Sequence, residues 1–388
     1  MKIYKLAQNT IDNKDYLKMS EFLRERKHLT QSIVTKKFEK NFSNFLKLRY
    51  STFVNSGSSA NLLIAQTLLE GNFLQNKIVV LPAVSWSTTV SPYLQLGFKV
   101  ILCDCDQNNL GLSIRHLEKI CKRYKPGLVG VVNVLGHGND FISIIKLKKK
   151  YKFKLVEDNC ESLGSFTNKK KLGTFGLASS HSFYFGHHIS TIEGGMVSTN
   201  DKKFYNISLA IRSHGWARDV QNSFKNNLEK EFKVDEFKSL YTFYYSGFNV
   251  RSTDFNAHIG LGQLKKLNKI SIIRNKNFKR YKFNLENFWS QKSNLKLVSN
   301  FGYATFVKNR LEVYKYLKSK NIQTRPLICG NMGQQPFWIK KFKKTNLPNA
   351  EKIHKYGLYL PNHENLTQKQ VRYICEKVKL KALPLEFI

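Results

Sequence analysis

Short apolar runs alternate with helical patterns between about residues 50 and 200, and this alternation restricts the fold more than any other feature. The runs are mostly β-branched or aromatic and are bounded by Gly, Pro, Asn or Asp, which is typical of strands. Strands that alternate with helices predict a parallel sheet covered on both faces, with ligands at the carboxyl ends of the strands. The predicted strands are 78–81, 99–105, 128–134, 153–157, 179–184 and 196–198, and the predicted helices are 60–69 and 142–151.

The chain after residue 200 is mainly helical and then returns to mixed strands and helices. A polar helical pattern contains an irregular, charge-rich stretch at 219–237. Apolar spacing predicts one long helix after that stretch, with shorter helices nearer the C-terminus. The expected helical regions are 202–245, 256–286, 310–319 and 367–380.

The length of 388 residues is enough for one large domain and one smaller domain, each with its own core. We predict an α/β large domain over 1–250, which includes an N-terminal helical segment. A smaller α+β domain is expected over 251–388, connected by the long helix. The sequence contains no run near the ~20 apolar residues of a membrane-spanning helix, and no export signal is apparent. Six scattered cysteines suit a reducing compartment, so we expect a cytoplasmic protein.

The formal net charge is +37, from 64 basic and 27 acidic residues. A basic surface can bind nucleic acid by releasing counterions from phosphate groups. The lysines are spread along the whole chain, however, and do not form one arm or stripe. We therefore predict a solvated basic surface that helps to attract an anionic substrate, with no nucleic-acid partner.

Two segments carry residues suited to binding an aromatic, anionic cofactor. Residues 56–61 are small and polar and open a predicted helix, whose N-terminus could bind an anion, although a Ser-rich N-cap has the same pattern. Residues 157–161 follow a predicted strand directly, so their acids should project from the carboxyl edge of the sheet. A buried carboxylate there could pair with a protonated pyridine nitrogen, although capping acids are the alternative.

A third segment, residues 182–195, contains the adjacent histidines His187 and His188. Paired histidines can indicate a metal site. Adjacent residues on an extended segment point to opposite sides, and no set of Cys, His and Asp at metal-ligand spacing lies nearby. We therefore expect no metal site here.

The three segments, in this order and at these separations, resemble the DegT/DnrJ/EryC1/StrS family of sugar aminotransferases. The resemblance extends over about residues 5–380. It implies a fold type I enzyme, similar to aspartate aminotransferase, with a mostly parallel seven-stranded sheet and pyridoxal phosphate as cofactor. It also implies a homodimer with active sites at the subunit interface. Further matching stretches are 82–89, 172–176, 324–326 and 360–363.

The family pattern implies a role for individual residues of this chain. Gly57 and Ser58 should bind the cofactor phosphate through backbone N–H groups, and Ser182 should add a hydroxyl. Trp86 should stack on the cofactor ring, and Asp158 should pair with the ring nitrogen. The same pattern implies Cys160, Glu161 and Asn249 at the cofactor, with Asn249 reaching the partner subunit's phosphate, and His214, Arg251 and Arg325 at the substrate.

One position departs from the aminotransferase pattern. Family aminotransferases carry a lysine at the position of His187, six residues before Glu193. A lysine amine forms an imine with the cofactor, and imidazole cannot, so we expect non-covalent binding with pyridoxamine phosphate as the resting active form. Imidazole can still transfer protons, because its ordinary pKa lies near working pH. His188 is the alternative proton carrier, but the spacing favours His187.

A histidine at this position, followed by a second histidine, is typical of the 3-dehydratase branch of the family. The resemblance implies removal of the C3 hydroxyl from a GDP-linked 4-keto-6-deoxyhexose, GDP-4-keto-6-deoxymannose, in deoxysugar synthesis for O-antigen lipopolysaccharide. Glutamate would regenerate pyridoxamine phosphate, and ammonia would be released. His187 would be the base.

A related branch acts on CDP-linked sugars, carries an iron–sulfur cluster on cysteines after the catalytic histidine and works with a reductase. In this chain only Cys329 and Cys375 follow His187. We therefore expect neither a cluster nor a reductase partner. Cys103 and Cys105 are predicted to lie on one face of a buried strand as small apolar residues.

Two alternatives to the dehydratase remain open. The first is another conversion of the same family, either dehydration of a different nucleotide-sugar or an aminotransferase that uses an unrecognised lysine. The second is a catalytically silent, cofactor-binding regulator. The candidate lysines for the first alternative are Lys169, Lys170 and Lys171.

Overall fold

The computed structural model describes residues 3–26 and 28–385, and its larger part is a seven-stranded sheet. The strands are β1 (Tyr50–Val54), β2 (Ile78–Pro82), β3 (Lys99–Cys103), β4 (Leu128–Val132), β5 (Lys154–Asp158), β6 (Ala178–Ser182) and β7 (Gly195–Thr199). Their order is β1-β7-β6-β5-β4-β2-β3. Strand β7 is antiparallel to its neighbours β1 and β6, and the other neighbouring pairs are parallel. The predicted mostly parallel α/β sheet is confirmed.

The helices agree with the predicted alternation. Residues 254–284 form a single long helix, close to the predicted 256–286. Within the described residues, no helix is both long enough and apolar enough to cross a membrane. The helices are α1 (Asn13–Arg24), α2 (Ile33–Leu46), α3 (Gly57–Glu70), α4 (Ser87–Gln95), α5 (Ile114–Tyr124), α6 (Phe141–Tyr151), α7 (Lys202–Arg212), α8 (Asn222–Phe232), α9 (Glu236–Ser239), α10 (Asp254–Asn284), α11 (Arg310–Ser319), α12 (Pro336–Ile339), α13 (Pro348–Tyr356) and α14 (Gln368–Lys381).

Side chains alternate between the two faces of the sheet and give each face its own core. Val79 of β2 packs in the cluster that includes Leu63 of α3. The next residue, Val80, packs in the opposite cluster with Leu117 of α5 and Ile144 of α6. Successive strand residues point to opposite faces, so helices must cover both sides of the sheet.

A second, antiparallel sheet lies in the C-terminal part of the chain. It consists of β8 (Tyr303–Phe306), β9 (Arg325–Pro326) and β10 (Gly357–Leu360) in the order β8-β10-β9. Residues of α10, α11 and α14 pack with this sheet in one hydrophobic cluster. The boundary between the large and the small domain, placed between residues 250 and 251, remains a prediction.

Two local predictions are wrong. The stretch 219–237 is largely helical, since it contains α8, which buries only Leu228 and therefore lacks a clear apolar period. Cys103 and Cys105 do not share a face, because they belong to the two opposite clusters. The strand ends at Cys103, since the carboxylate of Asp104 accepts the N–H groups of Cys105 and Ala350 and diverts the backbone from the sheet.

Candidate active site

A cavity of about 480 Å³ opens at the carboxyl ends of β5 and β6. Asp158 is the last residue of β5, Ser182 is the last residue of β6, and Gly57 begins α3. This edge is where ligands bind in open α/β sheets. Most residues predicted for the site line the cavity, namely Gly57, Ser58, Trp86, Asp158, Cys160, Glu161, Ser182, His187 and Arg325.

The N-terminus of α3 forms one end of the cavity. Ser56 caps the helix, and its hydroxyl accepts the N–H of Ser59 at 3.0 Å. A Cβ atom at Gly57 would lie 2.6 Å from Cβ of Ser182 and 3.1 Å from Sγ of Cys160. Only glycine therefore fits at the first turn, where helix N–H groups can bind an anion such as phosphate.

The carboxylate of Asp158 is held by donors from two helices and from the loop that follows β5. Its Oδ2 accepts Nδ2 of Asn61 at 2.9 Å and Oγ1 of Thr89 at 2.7 Å. Its Oδ1 accepts the backbone N–H of Cys160 at 3.2 Å. Asn61 is fixed in turn by Ser180, whose Oγ donates to its Oδ1 at 2.6 Å. The carboxylate therefore has one defined orientation beside the cavity.

His187 lies at the cavity wall in a defined tautomer. Its Nδ1 bonds to the carbonyl oxygen of Cys160 at 2.9 Å. A carbonyl only accepts hydrogen bonds, so Nδ1 carries the proton and Nε2 has a free lone pair in the neutral ring. Burial lowers the pKa of His187 to about 4, which favours this neutral form. The ring packs against Phe301, with centroids 5.0 Å apart.

Glu161, Trp86 and Arg325 complete the polar and aromatic wall. Oε2 of Glu161 accepts the N–H of Leu135 at 3.0 Å, and burial raises the pKa of Glu161 to about 7. The Trp86 side chain is 47% exposed, so an indole face is available to a ligand. The Arg325 guanidinium lies 5.9 Å from the Trp86 ring and 4.4 Å from the Tyr359 ring.

Three predicted residues do not line this cavity. Asn249, His214 and Arg251 lie together elsewhere, where Nε of Arg251 donates to Oδ1 of Asn249 at 3.1 Å. The backbone of Asn249 pairs with Ser213 in an antiparallel bridge, next to His214. One chain therefore does not bring these side chains to its own cavity.

The alternative lysines lie outside the cavity. Nζ of Lys171 donates to the carbonyl oxygen of Phe45 and lies 4.2 Å from that ring. Lys169 and Lys170 line a separate surface groove. The cavity lining contains no lysine among the described residues. Nor do those residues include a group of three or more metal-ligating side chains.

Sequence reasoning assigned no role to several residues that shape the site. Asn61 and Thr89 belong to the segments 56–61 and 82–89, which the sequence pattern marks, so the pattern places both near the cofactor site. Phe301 and Tyr359 come from distant segments, and no local pattern marks them. The other lining residues without an assigned role are Leu6, Ala7, Ser56, Thr88, Val132, Tyr184, Phe185, Gly186, Glu193 and Ile328.

The residues present fit pyridoxal phosphate. A helix N-terminus without obstructing side chains suits the phosphate, an oriented carboxylate suits the pyridine nitrogen, and an exposed indole suits the ring. The cavity volume is within the usual range of roughly 300–1,000 Å³ for small-molecule sites.

Known proteins with similar sequences include 3-dehydratases. The chain is 34% identical over 389 residues to a GDP-4-keto-6-deoxy-D-mannose 3-dehydratase of Yersinia pseudotuberculosis, covering 97% of this chain and 98% of the relative. It is 33% identical to a protein of the same name from Escherichia coli O55:H7, covering 97% and 99%.

Solved structures agree with these relatives. The crystal structure of GDP-4-keto-6-deoxymannose-3-dehydratase with a trapped pyridoxal phosphate–glutamate geminal diamine has a TM-score of 0.85 at 30% identity, covering 96% of this chain and 99% of that chain. The E. coli enzyme with bound hydrated pyridoxal phosphate has a TM-score of 0.86 at 30% identity, covering 97% and 100%. The profile of the DegT/DnrJ/EryC1/StrS aminotransferase family matches residues 9–379. This chain therefore belongs to the DegT/DnrJ/EryC1/StrS aminotransferase family.

Proposed function

We propose that this chain is a pyridoxal-phosphate-dependent 3-dehydratase that acts on GDP-4-keto-6-deoxy-D-mannose, with glutamate as amino donor. The observation that carries the proposal is His187, which stands at the cavity where the aminotransferase pattern has lysine. The similarity to two 3-dehydratases over almost the full chain supports the GDP-linked substrate. An aminotransferase of this family would need a lysine at the cofactor, and the described part of the cavity wall has none.

The chain's own residues bind and orient the cofactor. The N–H groups of Gly57 and Ser58 would hold the phosphate at the start of α3, where the Ser182 hydroxyl lies beside Gly57. Asp158 would pair with the ring nitrogen, and Trp86 would cover one ring face. When bound, the cofactor supplies an amine for the sugar ketone and a ring that accepts electrons.

The neutral His187 moves the proton in this scheme. Its Nε2 lone pair accepts a proton inside the cavity, while Nδ1–H stays on the Cys160 carbonyl. Glu161 is a second group that can exchange a proton near neutral pH, because burial raises its pKa to about 7. Phe301 and Tyr359 form apolar parts of the wall and restrict the access of water.

We also propose a homodimer in which Asn249, His214 and Arg251 serve the partner's cavity. This is supported by their position together outside the cavity of their own chain. The three side chains would complete the phosphate and substrate contacts, so one subunit alone would be inactive. We place the enzyme in the cytoplasm, which suits the free thiols of its six cysteines.

The test is the mass of the product made from GDP-4-keto-6-deoxymannose with pyridoxal phosphate and glutamate. We expect the sugar to lose one oxygen atom while free ammonia and 2-oxoglutarate appear in equal amounts. The dTDP- and CDP-linked 4-keto-6-deoxyhexoses serve as comparison substrates and should react more slowly. An amino group gained by the sugar would instead establish an aminotransferase, and faster turnover of a comparison substrate would refute the GDP assignment.

A further inference from the structure

The second histidine of the pair leaves the cavity and contacts the C-terminal part of the chain. His188 is 0% exposed, and its Nε2 bonds to the carbonyl oxygen of Ser299 at 2.8 Å. The carbonyl must accept, so Nε2 carries the proton. Burial and the charge of Arg274 lower the pKa of His188, which keeps the ring neutral. A Cβ atom on Gly136 would lie 2.5 Å from the same carbonyl oxygen, so glycine is required beside this contact.

The segment 299–301, which this bond holds, forms part of the cavity wall through the ring of Phe301. Two backbone N–H groups of this segment donate to loops of the large sheet, and two of its carbonyl oxygens accept from Arg274 and Asn362. The N–H of Ser299 donates to Oγ of Ser165 at 2.8 Å, and the N–H of Phe301 donates to the carbonyl of Leu135 at 3.0 Å. The segment is therefore fixed from several directions.

The ring of Phe301 contacts both histidines. Its centroid lies 5.0 Å from that of His187 and 5.8 Å from that of His188. His187 is also restrained by the hydrogen bond from Nδ1 to the Cys160 carbonyl at 2.9 Å and by the ring of Tyr184, whose centroid lies 6.5 Å away. One hydrogen bond still allows the imidazole to tilt, and the packed phenyl ring restricts that tilt.

We propose that His188 is a positioning residue, which fixes Phe301 through Ser299 and thereby holds the imidazole of His187 in its working orientation. This role rests on the proposed function where the effect on dehydration turnover is concerned. The state of His187 itself can be measured in cofactor-free protein. The paired histidines then have two separate roles, one at the cavity and one behind its wall.

Two variants separate the hydrogen bond from the bulk of the side chain. His188→Gln keeps an N–H donor near the Nε2 position, whereas His188→Leu removes the donor and leaves the Ser299 carbonyl unpaired. The matched control is His116→Leu, because the His116 ring also bonds to a backbone group, the N–H of Asp104 at 3.0 Å, and does not line the cavity. It should lower thermal stability without reaching the wall beside His187.

The measurement is the imidazole pKa of His187, from histidine ¹⁵N NMR spectra assigned with His187→Asn. Burial sets this pKa at about 4 in the wild-type chain, and His188→Gln and His116→Leu should leave it there. In His188→Leu the loosened wall admits water, so the pKa should rise by about one unit or more. Turnover in His188→Leu should fall by about tenfold or more, since displacing a catalytic group by ~1 Å can be that costly.

An unchanged His187 pKa and unchanged turnover in folded His188→Leu would overturn the proposal. If that variant does not fold, Phe301→Ala provides the decisive measurement, because the proposal requires the same rise in the His187 pKa. No rise in that variant would also overturn it. If His188→Leu raises the His187 pKa but the wild-type chain itself shows no dehydration, the proposed function is refuted and the positioning role of His188 still holds.

Discussion

The Nδ1–H of His187 donates to the carbonyl oxygen of Cys160 at 2.9 Å, and this bond fixes which nitrogen can act as a base. Cys160 follows Asp158 by two residues, and its own N–H donates to that carboxylate at 3.2 Å. The proton carrier and the expected partner of the pyridine nitrogen are thus connected through one short backbone segment. This segment sets the spacing between the two groups, while the tilt of the imidazole also depends on the packing of Phe301.

Replacing His187 with Asn should abolish dehydration while the cofactor still binds. The amide has no basic nitrogen, so we expect the rate to fall by roughly a hundredfold to ten-thousandfold, the usual contribution of a general base. Product formation is followed by mass spectrometry, and cofactor binding by its absorbance. Full turnover in this variant would transfer the proton-carrier role to another group.

Cofactor affinity should depend on pH through Glu161. Burial raises the pKa of this carboxyl to about 7, so it is neutral below that pH and becomes charged above it. The added negative charge opposes an anionic cofactor, and affinity should fall as the pH rises through 7. The ratio of wild-type affinity to that of Glu161→Gln, measured from pH 5.5 to 8.5, isolates this effect. A constant ratio over that range would contradict the assignment.

Gly57→Ala should disable phosphate binding without unfolding the chain. The new Cβ would lie 2.6 Å from Cβ of Ser182, so the first turn of α3 must move away from the cavity. We expect the affinity for pyridoxal phosphate to fall by about tenfold or more, as one misplaced anion contact costs at least ~1.4 kcal/mol. Gly262→Ala in α10 is the control, since its Cβ would meet only Oδ1 of Asp15 at 3.3 Å. Equal affinities in the two variants would argue against the phosphate site.

Removing one partner of a buried ion pair should strongly destabilise the edge of the large sheet. Nη1 of Arg212 lies 2.7 Å from Oε1 of Glu39, and their side chains are 4% and 9% exposed. Glu39→Ala would leave a buried guanidinium short of a partner, which typically costs about 3–5 kcal/mol of unfolding free energy. Urea denaturation measures the loss. Glu118→Ala, which removes the exposed pair with Lys150, is the matched control and should change the midpoint far less.

The local parts of the site could be predicted from the sequence, and the distant parts could not. Asp158 directly follows the predicted strand 153–157 and Ser182 lies near the end of the predicted strand 179–184, so parallel-sheet geometry brings them to one edge. Phe301 belongs to a segment that follows α10, and no local sequence pattern indicates that this segment returns to the cavity. The partner of His188 is 111 residues away in sequence. The helix α8 was missed for a different reason, since a helix with one buried residue has no apolar stripe.

The most direct test of the central claim is the intact mass of the protein after borohydride reduction in the presence of pyridoxal phosphate. Because His187 occupies the position of the family lysine and the described cavity wall has no lysine, the cofactor should be held without a covalent bond. We expect the mass of the reduced, denatured chain to equal that of the unmodified chain. A stable mass increase of one cofactor, mapped to a lysine, would contradict this and would indicate that the chain is an aminotransferase.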